Sequence, residues 1–195
     1  MTKNILICGV GGQGTVLASR IIAQAAMTEG LMARTAETIG MAQRGGPVTS
    51  HVRIGGDALS SLVPMGSADI ILGFEPGEAV RNAGYLAKDG IMIVNSVPTM
   101  PVTESLSPSG YEGEKMVQWL QNNYKTILVN QNEVCKDFGS TKFFNIIMLG
   151  IAAGSGKLGL KKETLLSEMG KRVPPKFLDV NTKAFLHGYE IGKES

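Results

Sequence analysis

Ile5-Leu6-Ile7-Cys8-Gly9-Val10-Gly11-Gly12-Gln13-Gly14 is the stretch that decides the fold. Its apolar half predicts a short buried strand, and the glycines end that strand. From Thr15 to Met27, apolar residues recur at helical spacing, which predicts a helix directly after the turn. The glycines satisfy G-x-G-x-x-G between a strand and a helix, where free backbone N–H groups and the helix N-terminus can receive a phosphate.

Three interpretations of this glycine loop stay open on the pattern alone. The loop can hold a nicotinamide or flavin dinucleotide, contact a phosphate or another polar ligand, or only form a tight turn. A dinucleotide site needs an acidic residue about 20 residues further on, near the end of the second strand. Glu37 is the candidate, but it lies a little beyond that spacing from Gly14.

Strand and helix signals alternate along the rest of the chain. We predict further strands at Ala33–Thr38, Val48–Ile54, Asp69–Phe74, Ile91–Asn95 and Thr126–Val129. We predict helices at Glu75–Leu86, Glu112–Gln121, Gln131–Phe138, Lys142–Ala153, Lys161–Met169 and Pro175–Ile191. This rhythm indicates an α/β fold with a parallel sheet covered by helices, in one domain over residues 1–195.

Three connections are also predicted. Gly55-Gly56-Asp57 is typical of a hairpin turn into another strand at Ala58–Val63. Lys88-Asp89-Gly90 predicts a turn before the strand that follows it. Ser96–Ser109 is dense in Pro, Thr and Ser, which predicts a long surface loop.

A second candidate site is Gln43-Arg44-Gly45-Gly46-Pro47. An arginine beside two glycines is poorly placed for core packing, but it can present a planar cation and exposed N–H groups to a carboxylate or phosphate. The alternative is a solvated hairpin tip, with Arg53 paired with a surface carboxylate. His51, on the strand that follows, is expected to be a strand-face residue and not a ligand.

Composition excludes several classes of protein. The net charge of +2 argues against a nucleic-acid-binding surface. Only Cys8 and Cys135 are present, so cysteine alone cannot ligate an iron–sulfur cluster or a structural zinc ion. Apolar runs are too short for a signal peptide or a membrane span, which predicts a soluble, cytoplasmic chain with reduced cysteines.

Other catalytic signatures are missing from the sequence. Gly154-Ser155-Gly156-Lys157 is not a phosphate-binding P-loop, because it follows a helix and lacks the required glycine and hydroxyl; glycines at a helix C-terminus explain it better. The chain has no G-x-S-x-G and no thiamine-diphosphate signature. The chain alone therefore supplies no obvious chemistry.

The combined motifs resemble the gamma-type domain of the 2-oxoacid:ferredoxin oxidoreductases, and nearly the whole chain takes part. The residues that carry the resemblance are Ile5–Gly14, Gly40–Arg53, Gly73–Ala79, Val94-Asn95, Asn145–Gly150, Val173–Lys176, Asn181 and Ala184-Phe185. Pro47 departs from the pattern, since a small residue such as serine is expected there. Proline has no N–H to donate, which weakens an anion cradle at that position.

The resemblance implies a Rossmann-like domain that is an accessory subunit of a complex. In this family a partner subunit carries thiamine diphosphate with its Mg and the iron–sulfur clusters, and coenzyme A is a co-substrate. The partner oxidatively decarboxylates a 2-oxoacid to an acyl-coenzyme A and reduces ferredoxin. The closest branch of the family acts on indolepyruvate and related arylpyruvates.

For this chain the resemblance implies no cofactor bound by the chain alone, an alpha-type partner subunit and indirect contact with ferredoxin. Since the surface that would face the partner is exposed in the isolated chain, we expect a homodimer when the partner is absent. The predicted ligand-contact residues are those of the two glycine segments: Gly9, Gly11, Gly12, Gln13, Gly14, Gln43, Arg44, Gly45 and Gly46. No residue is predicted to be catalytic or to bind a metal. Two alternatives remain: a free-standing nucleotide- or flavin-binding Rossmann protein, and an interaction scaffold that contacts no substrate.

Overall fold

The computed structural model describes residues 2–39, 45–56, 58–100 and 110–195. The strands are β1 (Lys3–Val10), β2 (Ala33–Ile39), β3 (Pro47–Ile54), β4 (Ala68–Gly73), β5 (Leu86–Asn95) and β6 (Thr126–Val129). The α-helices are α1 (Thr15–Thr28), α2 (Pro76–Asn82), α3 (Gly113–Asn123), α4 (Gln131–Val134), α5 (Phe144–Gly154), α6 (Lys162–Gly170) and α7 (Leu178–Lys193).

These strands form one six-stranded sheet in the order β2-β3-β1-β4-β5-β6. The pairs β1–β4, β4–β5 and β5–β6 are parallel, whereas β3 is antiparallel to both of its neighbours. The prediction of an open, mostly parallel α/β sheet with helical cover is therefore confirmed.

Each face of the sheet has its own hydrophobic core because successive side chains on a strand point to opposite faces. Ile5 and Ile7 of β1 belong to the core that contains the apolar residues of α1, α5, α6 and α7. Leu6 and Cys8 belong to the second core, with residues of α2 and α3 such as Ala79 and Leu120. The helices thus cover both faces, as the near-continuous apolar run of β1 indicates.

The prediction of a strand at Ala58–Val63 is wrong. Most of this segment has no regular secondary structure, and its polar backbone groups bond to side chains instead. Arg34 donates to the carbonyl of Ala58, Arg53 donates to the carbonyl of Ser60, and the N–H of Val63 donates to His51 Nδ1. Because β3 already pairs with β1 and β2, no sheet edge is free beside it for a further strand.

The turn predicted at Lys88-Asp89-Gly90 lies inside β5. A Cβ at Gly90 would come 2.6 Å from the carbonyl oxygen of Ala68, so the glycine permits close approach to β4 at an irregular point of the ladder. The helix predicted at Glu75–Leu86 is also shorter than expected. It consists of α2 followed by a 3-10 turn at Ala83–Tyr85.

The chain leaves β1 and β4 toward opposite faces of the sheet. From β1 the chain enters α1, on one face, and then continues to β2 and β3. From β4 it enters α2, on the other face, and then continues to β5. In open α/β sheets, the crevice beyond the carboxyl ends of such strands is where ligands bind. This topology places the glycine loop beside that crevice.

Candidate functional site

The glycine loop makes a tight turn between β1 and α1. Gly12 and Gly14 adopt φ values of +100° and +85°, in the region that favours glycine. A Cβ at Gly9 would come 2.6 Å from Gln13 Oε1 and 2.9 Å from Cβ of Phe74, and a Cβ at Gly14 would overlap the Asn145 amide. The loop is therefore packed closely against the ends of β4 and α5.

The two predicted glycine segments meet in the structure. The N–H of Gly11 donates to the carbonyl of Gly46 at 2.9 Å, and the N–H of Gly45 donates to the carbonyl of Gly11 at 3.4 Å. Pro47 pairs with Val10 at the end of the β1–β3 ladder. Gln43 and Arg44 lie outside the described residues, so their predicted roles remain predictions.

Gln13 fastens the loop to the neighbouring strand. Its Oε1 accepts from the N–H of Val10 at 2.8 Å, and its Nε2 donates to the carbonyl of Phe74 at 3.2 Å. Because both ends of the amide are bonded to backbone, its orientation is fixed. Gln13 thus has a structural role as well as a place beside the crevice.

A cleft of about 490 Å³ opens at this crevice. Its walls come from the glycine loop after β1, from Thr99 after β5, from the start of α4 after β6, and from the segment that leads into α5. The lining residues are Gly12, Gln13, Gly14, Thr99, Gln131, Thr141, Lys142, Phe144 and Asn145. The cleft therefore lies beyond the carboxyl ends of the central strands.

The electrostatics of this cleft favour an anion. Helices α1 and α5 both begin at its wall, and the first N–H groups of a helix carry partial positive charge. Lys142 adds a full positive charge, and none of the described residues that line the cleft is acidic. A phosphate or carboxylate would be stabilised here by charge and by hydrogen-bond donors.

A smaller apolar pocket of about 210 Å³ adjoins the cleft and shares Lys142 and Asn145 with it. Its apolar walls are Leu17, Phe143, Ile146 and Phe177. The combined site can thus contact a charged group and an apolar group of one ligand.

Glu37 does not lie beside the glycine loop in the way a dinucleotide site requires. Strand β3 separates β2 from β1, so Glu37 is two strands away from β1. Its Oε1 lies 3.7 Å from Arg20 Nε and accepts from the Ser19 hydroxyl at 3.4 Å. The carboxylate is therefore engaged with α1.

His51 is a buried strand-face residue, as expected. Its Nδ1 accepts from the N–H of Val63 at 3.2 Å, and its ring packs edge-on against Tyr85. Burial lowers the pKa of His51, which favours the neutral form. Among the described residues Arg53 has no carboxylate partner: its Nε donates to Asn4 Oδ1 at 2.8 Å, and a terminal nitrogen donates to the carbonyl of Ser60 at 3.0 Å.

Two buried carboxylates lie next to the crevice but serve α2. Glu75 caps the helix by accepting from the N–H of Glu78 at 2.8 Å, and it also accepts from the Tyr111 hydroxyl. Glu78 pairs with Arg81, and burial raises the pKa of Glu78. These contacts explain the carboxylates without a ligand.

Gln131, Lys142 and Asn145 line the cleft but were not among the site residues predicted from the sequence. Gln131 directly follows Asn130, the residue that caps α4 after β6. Polar residues immediately after a predicted parallel strand were a usable signal, because strand ends meet at the crevice. Lys142 carried no comparable signal, since its approach to the glycine loop depends on the packing of α5.

Across residues 2–39, 45–56, 58–100 and 110–195, no group of three His, Cys, Asp or Glu side chains is arranged to hold a metal ion. Within the same ranges, every helix is too short or too polar to cross a membrane.

Known proteins resemble this chain over nearly its entire length. The family model for pyruvate ferredoxin/flavodoxin oxidoreductase matches residues 4–191. Indolepyruvate oxidoreductase subunit IorB of Methanothermobacter thermautotrophicus is 36% identical over 197 residues, covering 100% of both chains. The same subunit of Archaeoglobus fulgidus is 38% identical, covering 97% of this chain and 94% of its own.

A solved structure agrees with these sequence matches. The gamma subunit of a keto/oxoacid ferredoxin oxidoreductase from Geobacter sulfurreducens superposes with a TM-score of 0.72 at 26% identity, covering 99% of each chain. Since the family model and full-length relatives above 30% identity both match, the chain belongs to the pyruvate ferredoxin/flavodoxin oxidoreductase family.

Proposed function

We propose that this chain is the accessory subunit of a 2-oxoacid:ferredoxin oxidoreductase that acts on indolepyruvate or related arylpyruvates. The assignment is supported by its full-length relatives, which are indolepyruvate oxidoreductase subunits. A separate alpha-type subunit carries thiamine diphosphate, Mg and the iron–sulfur clusters, and passes electrons to ferredoxin. The present chain completes the active site of that partner.

The cleft beside the glycine loop takes the phosphate-bearing part of coenzyme A. The single observation that supports this is a cleft with no acidic residue among its described lining, placed at the first turns of α1 and α5 and next to Lys142. Coenzyme A carries several phosphate oxygens, which such donors stabilise.

A free-standing nicotinamide- or flavin-binding protein is the alternative function. The glycine loop favours it, but Glu37 lies two strands from β1 and contacts Arg20. We therefore expect the purified chain to bind neither NAD(H) nor FAD tightly. Calorimetric titration tests this, and a low-micromolar Kd for either compound would favour the alternative.

Reconstitution tests the proposed subunit role. Arylpyruvate-dependent reduction of ferredoxin or a viologen dye is measured with coenzyme A, using this chain alone, the partner alone and both together. We expect activity only with both, because decarboxylation of a 2-oxoacid needs an electron sink such as thiamine and one-electron transfer needs clusters. Substantial activity of either subunit alone contradicts the proposal.

Lys142→Ala tests the coenzyme A site in the same assembled enzyme. Loss of one charge-assisted contact to a phosphate predicts a rise of about ten-fold in the KM for coenzyme A. Lys183→Ala is the matched control, because Lys183 is an exposed lysine on α7 whose partner is Asp179. Equal KM values for both variants would show that coenzyme A does not bind in this cleft.

Arg44 remains a sequence-based proposal for the active-site cleft that this chain would share with its partner. Arg44→Ala is expected to impair turnover or coenzyme A dependence while the melting temperature of the subunit stays unchanged. Arg44→Lys should restore little, since a point charge lacks the planar fork of guanidinium. Unaltered kinetics would assign Arg44 to a solvated turn.

We further propose that the chain acts as one domain in the cytoplasm and forms a homodimer when its partner is absent. Exposed apolar residues support an interface with another chain: Leu59 is 87% exposed and Met65 is 66% exposed. Size-exclusion chromatography of the chain alone and with its partner measures both associations.

A further inference from the structure

Asn95 lies at the carboxyl end of β5 and is completely buried. Its Oδ1 accepts from the N–H of Val97 at 3.0 Å. Its Nδ2 donates to the carbonyl of Phe74 at 3.2 Å and to Gln131 Oε1 at 3.0 Å. One side chain therefore connects the ends of β4 and β5 with the start of α4.

The orientation of the Asn95 amide is set by the backbone. An N–H group can only donate, so the end of the amide that faces Val97 must be the oxygen. The nitrogen then faces Phe74 and Gln131. Because a carbonyl can only accept, the bond to Phe74 requires the same orientation.

Asn95 in turn sets the orientation of Gln131. The Asn95 Nδ2 group is a donor, so Gln131 must present its oxygen to it. The Nε2 group of Gln131 is consequently at the other end of the planar amide, and within the described residues no hydrogen-bond partner is recorded for it. Gln131 is one of the residues that line the cleft.

We infer that Asn95 is a positioning residue: it holds the Gln131 amide with its donor end available to the cleft, so that the cleft favours a ligand with anionic acceptor oxygens. This inference rests on the proposed binding of coenzyme A in the cleft. Asn95 itself is not among the residues that line the cleft, so it can act on a ligand only through Gln131.

Gln13 of the glycine loop shows a related arrangement. Its Nε2 donates to the same Phe74 carbonyl that accepts from Asn95. The carbonyl at the end of β4 thus aligns an amide on each side, and both amides are held by backbone groups that cannot reverse their polarity. A cleft built in this way has its hydrogen-bonding character fixed before the ligand arrives, which lowers the cost of ordering on binding.

Asn95→Asp is the direct test, because it replaces the donor with an acceptor at nearly constant shape. The new oxygen would face the Phe74 carbonyl and Gln131 Oε1, and Gln131 relieves the repulsion by turning its amide over. Its oxygen then faces the cleft. In the enzyme assembled with its partner, we expect the KM for coenzyme A to rise at least about ten-fold, with kcat at saturating coenzyme A within about two-fold of wild type.

Asn4→Asp is the matched control. Asn4 is also a buried amide that donates to a backbone carbonyl, that of Ser67 at 3.0 Å, and accepts from Arg53. It lies at the opposite end of β1 from the glycine loop. We expect the KM for coenzyme A to stay within about two-fold of wild type, so that a general effect of a buried acid is separated from an effect on the cleft.

The Gln131→Ala background tests the route of the effect. If Asn95 acts through Gln131, Asn95→Asp should raise the KM no further once Gln131 is truncated. If Asn95→Asp fails to assemble, Asn95→Ser replaces it: the hydroxyl can still accept from Val97 but cannot reach Gln131. We expect Asn95→Ser to raise the KM about three-fold.

The outcomes separate the inference from the proposed function. Any of three outcomes overturns the positioning role. The Asn95→Asp enzyme has the same KM for coenzyme A as the Asn4→Asp control, or Asn95→Ser leaves this KM unchanged. The third outcome is that Asn95→Asp raises the KM by the same factor in the Gln131→Ala background as in the wild type. Coenzyme A then still binds in the cleft if Gln131→Ala and Lys142→Ala raise the KM. If neither of those variants changes the KM, the proposed site itself is wrong.

Discussion

Gly12 of the glycine loop and the glycines between α5 and α7 have opposite effects on the space around them. In the glycine loop, Gly12 has no atom within 4 Å of the position that a Cβ would take. Where α5 crosses α7, a Cβ at Gly150, Gly154, Gly188 or Gly192 would overlap a backbone carbonyl oxygen of the facing helix. The absent side chain thus leaves open space beside the cleft in one region and permits direct backbone contact in the other.

The helix contact is reciprocal. Gly150 of α5 faces the carbonyl of Phe185, and Gly188 of α7 faces the carbonyl of Ile147. On each helix the two glycines are four residues apart, so they lie on the same side of the helix. Since the N-terminus of α5 forms a wall of the cleft, this contact also holds that wall in place.

Gly188→Ala is expected to have the largest effect on stability. The new methyl group would overlap the backbone of Ile147, which cannot move as an exposed side chain can. The two helices would have to separate, at a cost of about 3 kcal/mol. For a domain of this size, the melting temperature should fall by about 6–12 °C, as measured by calorimetry.

Gly170→Ala is the control for Gly188→Ala. Gly170 is the last residue of α6, and the nearest atom to its Cβ position is a methyl group of Leu178 at 3.3 Å, which can shift. We expect a change within about 1 kcal/mol of wild type. If Gly188→Ala is as stable as this control, the α5–α7 contact is not as close as the structure shows.

Gly14→Ala is expected to have an intermediate effect, because it combines both kinds of constraint. Its φ of +85° costs an alanine about 1–2 kcal/mol, and the Cβ would displace the Asn145 amide. Asn145 lines the cleft, so the KM for coenzyme A should rise together with the loss of stability. Thermal denaturation and kinetics of the assembled enzyme measure the two effects. A destabilised variant with an unchanged KM would show that Asn145 does not contact the ligand.

The sheet was predictable because its signals are local. The strands β1, β4 and β6 lie close to their predicted limits, and β5 ends at the predicted Asn95 although it begins five residues earlier than predicted. The failed strand at Ala58–Val63 depended on a distant fact: β3 pairs with β1 on one side and β2 on the other, so a hairpin partner had no edge to join. Pairing of that kind is set by the whole sheet and not by the turn sequence.

The candidate site was predictable on one wall only. The glycine loop is marked by its own spacing, whereas Lys142 and Asn145 reach it because α5 packs against α7 through the glycines at 150 and 188. Gly154 ends α5, as its position in the sequence indicated, but its close approach to the carbonyl of Tyr189 was not predictable from the sequence. Contact between helices distant in sequence leaves no local pattern beyond the glycine spacing itself.

The last test compares Gly12→Ala with Gly30→Ala. Their expected loss of stability is smaller than that of Gly188→Ala or Gly14→Ala. Both glycines have positive φ, +100° and +79°, and neither has an atom within 4 Å of its Cβ position. Each alanine should therefore cost about 1–2 kcal/mol from backbone strain alone.

Only Gly12 lines the cleft, since Gly30 follows the far end of α1. A methyl group at residue 12 should raise the KM for coenzyme A about ten-fold, at the lower limit of what one methyl group does in a ligand pocket. The same group at residue 30 should leave the KM unchanged. Equal melting temperatures with unequal KM values would show that the ligand occupies the open space at Gly12. Equal KM values would show that the glycine loop is only a turn and does not contact the ligand.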